Sequence, residues 1–300
     1  MGTPDYATKI FEEVLNNENY EIVGLFTQPD KKVGRKQILT APHIKQYCLD
    51  NNLDFPIFQP EKLRNNEEVK NQIIELKPDF IIVAAYGQIL PKDILDIAPC
   101  INLHASLLPK YRGASPIQES LLNDDTFTGV TSMLMEEGLD SGDILGLKYL
   151  KITPTMEVVE AFNKLSEIAA TLTIETLDNY ERILPKKQNE SEVSYCKKIK
   201  KEDGLVDFID AKKLVLKFKA YSFWPGIFIE SGLKLKNVTL VENESSNIAG
   251  EILEIKKDSV VVACARGSIE VKNLQAPSKK EVNSADYIRG QRLKEGDILI

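Results

Sequence analysis

Two histidines, one tryptophan and four cysteines are all that this 300-residue chain holds of those residue types, and each scarcity excludes something. The cysteines, Cys48, Cys100, Cys196 and Cys264, stand far apart and form no CxxC pair, so reduced and buried thiols are expected rather than a redox or zinc motif. With only His43 and His104 available, no His/Cys/Asp cluster has ligand spacing, and no metal is expected. No run of 18 apolar residues occurs, so no membrane span is expected. No basic segment followed by an apolar one opens the chain, which excludes a visible signal peptide and makes the cytoplasm the default location. There is no P-loop, and Gly2-Thr3-Pro4 is not a GxGxxG, so a nucleotide or nicotinamide cofactor is disfavoured. A net charge of −7 argues against a generic nucleic-acid binder, while leaving room for a local basic surface.

What is present is the pattern of a soluble globular protein, 43% hydrophobic and 28% charged, long enough for one large domain or two ordinary ones. Asp79–Tyr86 is an apolar, β-branched run that reads as a buried parallel strand, and Cys100–His104 reads as a second. Helical spacing marks 4–16, 43–53, 65–76, 91–97, 115–123 and 155–177, and strand patterns mark 21–27, 55–59, 128–135 and 143–152. Alternation of this kind predicts an α/β domain with a parallel sheet over residues 1–184. Residues 185–203 are lysine-rich, polar and weakly periodic, which suits a linker. From 204 to 300 a helix at 211–220 precedes short strands at 227–230, 233–242, 250–256, 259–264 and 268–274, the pattern of a small β-barrel domain.

The chemistry concentrates between Asn102 and Asp143. Side chains alternate along a strand, so Asn102 and His104 point the same way at the strand's end, where ligands bind in open α/β sheets. Asp140 sits in a Gly-flanked turn, Gly138-Leu139-Asp140-Ser141-Gly142. An amide, an imidazole and a carboxylate can together do acid–base and oxyanion chemistry. Tyr86-Gly87-Gln88-Ile89-Leu90-Pro91 follows the first strand, where backbone groups could read the edge of a flat ring and Ile89 and Leu90 could sandwich it. Lys31, Lys32, Arg35 and Lys36 crowd a loop around Gly34 and can neutralise phosphates, with Lys45 following. Arg35 is the strongest of these, since a guanidinium grips phosphate with two bonds. Lys186, Lys187, Lys197, Lys198, Lys200 and Lys201 form a second basic strip. His43, at a helix start, reads as surface.

Asn102-Leu103-His104, Ser106-Leu107-Leu108-Pro109 and Asp140-Ser141-Gly142-Asp143 resemble the folate-dependent formyltransferases. Arg112-Gly113-Ala114-Ser115-Pro116-Ile117-Gln118 and Met135-Glu136-Glu137-Gly138-Leu139-Asp140 extend the resemblance, which covers almost the whole chain. It implies a Rossmann-like formyltransferase domain followed by an OB-like barrel that binds tRNA. It implies 10-formyltetrahydrofolate as the formyl-donor cosubstrate and the amino group of initiator methionyl-tRNA as the acceptor, for translation initiation. Catalysis is then expected from Asn102, His104 and Asp140: His104 and Asn102 donate to the formyl oxygen, and Asp140 holds the imidazole and relays protons through water. Folate is expected on Tyr86, Gln88, Ile89, Leu90, Ser106, Leu107, Leu108 and Pro109. Transfer RNA is expected on Lys31, Lys32, Arg35, Lys36, Lys197, Lys198 and Lys200. Met1-Gly2-Thr3-Pro4-Asp5-Tyr6 matches the loop after the family's first strand, and that strand is missing, which is expected to expose strand edges and weaken the fold. No membrane partner is expected, and a monomer is. Two other readings fit less well: formylation of a small amine such as a nucleotide-linked amino sugar, and an inactive RNA-binding protein that keeps the fold.

Overall fold

The computed structural model describes residues 1–34 and 36–299. The chain divides into two compact units: Met1–Pro116 with Phe127–Lys151 and Phe162–Cys196, and Ile117–Thr126 with Ile152–Ala161 and the chain from Lys197 on.

In the first unit, β1 (Leu25–Phe26), a hairpin of β2 (Lys31–Val33) and β3 (Ile38–Thr40), β4 (Ile57–Phe58), β5 (Ile81–Val83), β6 (Cys100–His104), β7 (Arg112–Gly113), β8 (Phe127–Leu134), β9 (Ile144–Lys151) and β10 (Tyr195–Cys196) make four sheets. The largest runs β5-β6-β8-β9 and is mixed: β5 and β6 are parallel, while β8 is antiparallel to both its neighbours. This corrects the expected parallel sheet: the sheet is mixed. The connection 135–143 between β8 and β9 is too short for a parallel crossover and can only turn back as a hairpin. Parallel pairing recurs in β1–β4, where Phe26 stacks on Phe58 with ring centroids 4.6 Å apart.

The early strand is also shorter than its apolar run suggests, Leu25–Phe26 rather than 21–27. Met1 and Gly2 lie between β1 and β5: Ala84 N–H donates to Met1 O, and Gly2 N–H donates to Phe26 O, each at 3.0 Å. Beyond these bonds, an apolar cavity of about 140 Å³ lies between residues 21–25 and 80–84, lined by Ile10, Phe11, Val14, Val23, Phe80 and Ile82 among others.

Helices α1 (Asp5–Leu15), α2 (His43–Asp50), α3 (Glu67–Leu76), α4 (Lys92–Leu95), α5 (Pro116–Leu122) and α6 (Val158–Asn179) follow their apolar spacing to within a few residues. Tyr6, Ile10 and Phe11 form the buried stripe of α1. The Asn66 side chain caps α3 by accepting from Val69 N–H. Val69 and Ile73 of α3 and Ile94 of α4 pack with Ile81, Val83 and Cys100. All five residues of β6 are buried, so Ile101 and Leu103 anchor the strand in core while Asn102 and His104 occupy its other face. Each such aliphatic burial contributes ~1.5–3 kcal/mol.

The segment expected as a linker is paired chain up to Cys196. Lys186 and Ile144 exchange both backbone hydrogen bonds, and β10 runs parallel to β7.

The second unit is β-rich. It holds β11 (Ile227–Phe228), β12 (Lys234–Ser246), β13 (Ile252–Ile255), β14 (Val260–Ala263), β15 (Arg266–Gln275) and β16 (Val282–Asn283), with α7 (Ala211–Tyr221) and α8 (Ser284–Gly290). The strand order is β11-β12-β15-β14-β13, with β16 on β15 and every pair antiparallel. No pairing closes this path into a barrel among the described residues. The core is the buried run Val260–Ala263 with Ile269, Val271 and Leu274, against which α7 sets Leu214, Val215 and Phe218.

All four cysteines are buried. Burial pushes the Cys48 thiol up to about 11 and those of Cys100 and Cys264 up to about 12, so they stay protonated at neutral pH. A thiol reagent is expected to titrate none of these in the native protein at neutral pH and all after denaturation. Rapid native labelling at Cys100, the first residue of β6, would contradict its burial between β5 and the helices that cover it.

Candidate active site

The strand β6 carries Asn102 and His104 to one face, and the β8–β9 hairpin carries Asp140 back over them. Asn102 Nδ2 donates to Asp140 Oδ1 at 3.4 Å, and His104 Nδ1 lies 3.8 Å from Asp140 Oδ2. The structure therefore brings the three side chains together. Asn102 and His104 are buried, and the Asp140 side chain is 14% exposed, so the carboxylate is the member nearest to solvent.

Two backbone groups complete the cluster. Gly113 N–H donates to Asp140 Oδ2 at 2.8 Å. A charge-assisted bond of this kind contributes ~1.5–3 kcal/mol. His104 Nε2 lies 2.9 Å from Tyr111 O. A carbonyl oxygen only accepts, so Nε2 carries the proton. In neutral His104 the lone pair is then on Nδ1, facing a carboxylate, and Nδ1 is the position where the ring can take up or release a proton. The expected oxyanion donor is thus half committed: Nε2 is held by Tyr111, and only an N–H at Nδ1 remains to give.

The backbone here is unusual. Tyr111 has φ +62°, Gly113 φ +122° and Asp140 φ +50°. A Cβ on residue 113 would stand 2.3 Å from Cys196 O, so only glycine fits between β10 and the carboxylate. Tyr111, Gly113 and their carbonyl and N–H carry no individual signal in the sequence, although Tyr111-Arg112-Gly113 overlaps the motif that carries the resemblance.

The residues expected to hold a folate fall into two groups. Ile89 is 78% exposed and Leu107 half-buried, so both side chains can meet a ligand. Leu90, Ser106, Leu108 and Pro109 are buried, so their side chains serve the core and the loop. Ser106 Oγ donates to Lys110 O, and Thr131 Oγ1 donates to Ser106 O and accepts from Leu108 N–H, which pins the Leu-Leu-Pro turn to β8. Gln88 is occupied with Leu63 N–H and Pro60 O and acts as a tether rather than a free amide. The Tyr86 hydroxyl is buried and finds no hydrogen-bond partner among the described residues. Burial pushes it up to about 12, which keeps it a donor at neutral pH.

Of the basic residues, Lys31, Lys32 and Lys36 are exposed on the β2–β3 hairpin and its turn, and Arg35 lies outside the described residues. Lys45 is not part of that surface charge. Its ammonium sits 2.9 Å from Asp30 Oδ1 and 2.7 Å from Gln59 Oε1. Lys197, Lys198 and Lys200 lie at the start of the second unit, all three exposed. His43 is exposed, as expected, but it does have neighbours, Thr8 Oγ1 at 3.1 Å and Asp5 Oδ1 at 3.3 Å. Among the described residues no group of three His, Cys, Asp or Glu could hold a metal ion, and no helix is long and apolar enough to cross a membrane.

Comparison with known proteins gives the class. The formyl transferase family matches residues 1–177, and the formyl transferase C-terminal domain matches residues 198–292. The chain belongs to the formyl transferase family. Within it, the chain is 57% identical to the methionyl-tRNA formyltransferase of Nitratiruptor sp. over 99% of its own length and 97% of the relative's. It is 52% identical to that of Campylobacter lari over 100% and 98%. Among solved structures, the N-formyltransferase of Helicobacter canadensis, in complex with folinic acid and dTDP-3-aminofucose, shares the fold, with a TM-score of 0.67 and 16% identity over 91% of this chain and 97% of that one.

The glycine at 113 makes the geometry testable. Gly113→Ala is expected to push the β7 backbone off Cys196, lengthen the bond to Asp140 and lower turnover at least about tenfold. An alanine variant with wild-type turnover would show that Asp140 does not depend on that N–H.

Proposed function

We propose that this chain formylates the amino group of methionyl-tRNA, with 10-formyltetrahydrofolate as formyl donor, and so serves translation initiation. The observation that carries the reading is the convergence of Asn102, His104 and Asp140, in a chain more than half identical, over nearly its whole length, to a methionyl-tRNA formyltransferase.

The residues present fit a folate. Exposed Ile89 and Leu139 offer apolar surface, and the buried Tyr86 hydroxyl is a donor that finds no acceptor within the described chain. A ligand with an apolar ring and a polar edge suits both. When bound, the folate supplies a formyl group on a nitrogen that can leave. The protein's own groups handle charge and protons. Asn102 has a second N–H to direct at negative charge developing on the formyl oxygen, and one such donor contributes ~3–4 kcal/mol. His104 exchanges a proton at Nδ1 while Nε2 stays on Tyr111. Asp140 stabilises the imidazolium and, being the most exposed of the three, passes protons to solvent.

On this reading Lys31, Lys32, Arg35 and Lys36 grip the acceptor end of the tRNA, and Lys197, Lys198 and Lys200 meet its backbone from an OB-like second unit. The antiparallel strand order and the long β12 support that description of the unit.

Incubation with 10-formyltetrahydrofolate and charged initiator tRNA should yield formylmethionyl-tRNA. Transfer to a dTDP-linked amino sugar instead would replace this reading with the small-amine one. His104→Ala should lower turnover by on the order of 100-fold while tRNA still binds; near-normal turnover would remove the imidazole from the mechanism. Affinity for tRNA should fall steeply as salt rises, and a Lys31→Ala, Lys32→Ala, Lys36→Ala triple variant should flatten that slope by about two to three units. A slope unchanged in the variant would take the hairpin out of the interface.

A further inference from the structure

The Asp140 bend has a support that the catalytic set does not include. Gln188 is 9% exposed, and its amide nitrogen donates to Asp140 O and to Gly142 O, each at 2.8 Å. Both of its N–H groups are thereby used on the two carbonyls that flank Ser141. Its amide oxygen accepts from Arg112 Nε at 3.0 Å and from a terminal Arg112 nitrogen at 2.9 Å. The orientation of this amide is unambiguous, because a guanidinium only donates and a carbonyl only accepts. Arg112 is itself 3% exposed and braced on its outer side by Glu190 at 2.8 Å.

The contact is specific to the bend. Asp140 holds φ +50°, and a Cβ on Gly142 would stand 1.8 Å from Leu134 O, so neither residue can relax without moving the hairpin. The same segment latches the other loop of the site: Ser194 Oγ accepts from Tyr111 N–H, and Ser194 O accepts from Arg112 N–H. One stretch of chain, 186–196, thus holds both the carbonyl that fixes His104 and the backbone that aims Asp140.

We propose that Gln188 is a positioning residue for the reaction: backed by Arg112, it locks residues 140–142 in the conformation that turns the Asp140 carboxylate onto Gly113, Asn102 and His104. The inference deepens the proposed formyl transfer and rests on it. Gln188 touches no reacting atom. Its effect passes through Asp140, so it should appear in turnover rather than in substrate binding, and it should vanish when Asp140 is already disabled.

The experiment uses the full-length chain carrying Gln188→Glu or Gln188→Ala, each alone and with Asp140→Asn. Gln188→Glu keeps size and the Arg112 contact but sets an oxygen against two carbonyl oxygens. Thermal midpoints identify any variant that has merely lost its fold, and kcat and KM are read below the midpoint. Gln188→Glu should lower kcat at least about tenfold with each KM within about threefold. Adding either Gln188 change to Asp140→Asn should cost less than about twofold more. A second readout does not need turnover: with two histidines in the chain, the ring ¹⁵N signals of His104 should move in Gln188→Glu while those of His43 stay. Wild-type kcat in Gln188→Glu, losses that multiply with Asp140→Asn, or unmoved His104 signals would each overturn the proposal. A wild-type chain that transfers no formyl group to methionyl-tRNA would instead overturn the function on which it rests, and the ¹⁵N readout would still stand on its own.

Discussion

The bond from Gly113 N–H to Asp140 Oδ2 joins the two loops on which the candidate site depends. Each loop is held in a conformation that an isolated chain avoids. Tyr111, Gly113 and Asp140 all have positive φ, and such a state costs of order 1–3 kcal/mol at a non-glycine residue. The cost is offset locally, by Ser194 at Tyr111, by the β7–β10 pairing at Gly113 and by Gln188 at Asp140. The strands β5, β6, β8 and β9 hold none of these positive-φ residues. The core of β5, β6 and β8 is a rigid base, and the strain sits in the loops that have to place a carboxylate to within a hydrogen-bond length.

Part of this was legible in the residues themselves. The five-residue run Cys100–His104 has period two, so Asn102 and His104 had to share a face once Ile101 and Leu103 were core. Asp140 stood out because glycines flank it. Strand direction was harder to read. Alternation says nothing about parallel or antiparallel pairing, and the signal that did exist, the short connection 135–143, concerns chain length rather than residue type. The tail of the first unit was misleading for another reason. Residues 185–196 open a stretch to 203 that is polar and lysine-rich, which is also the composition of a linker, but their backbone pairs with Ile144, Arg112 and Gly113. Gln188 left no local signal, because what makes it matter is a pair of carbonyls far away in sequence. Buried polar contacts of that kind depend on the assembled fold.

Proton placement follows from the same contacts. An imidazole held by a carbonyl at Nε2 has one tautomer in its neutral form. That tautomer turns a lone pair towards Asp140, an acceptor, across 3.8 Å. An attacking amine has a proton to shed, and a departing nitrogen needs one. In the proposed transfer, a His–Asp pair that gains and then returns a proton serves both without net change, and no covalent intermediate on the enzyme is needed.

Charge distribution resolves the last tension in the proposed function, that of an acidic protein with a polyanionic substrate. Net charge governs long-range attraction only weakly at physiological salt, where screening acts over ~8 Å. What matters at the surface is which cations are uncommitted. Lys45, close in sequence to the basic hairpin, is bound to Asp30 and Gln59. The hydrogen bonds that Gln59 and Lys45 donate to Asp30, Gln59's first, hold its carboxyl below the usual range. Lys45 therefore braces the loop and offers no charge to a phosphate. Lys31, Lys32 and Lys36 stand exposed on a two-stranded hairpin whose apolar residues, Val33, Ile38 and Leu39, are exposed as well. A hairpin that exposes both lysines and aliphatic side chains is poorly suited to water alone. On the proposed function it meets a nucleic-acid end, where phosphates take the ammonium groups and unpaired base faces cover the apolar ones.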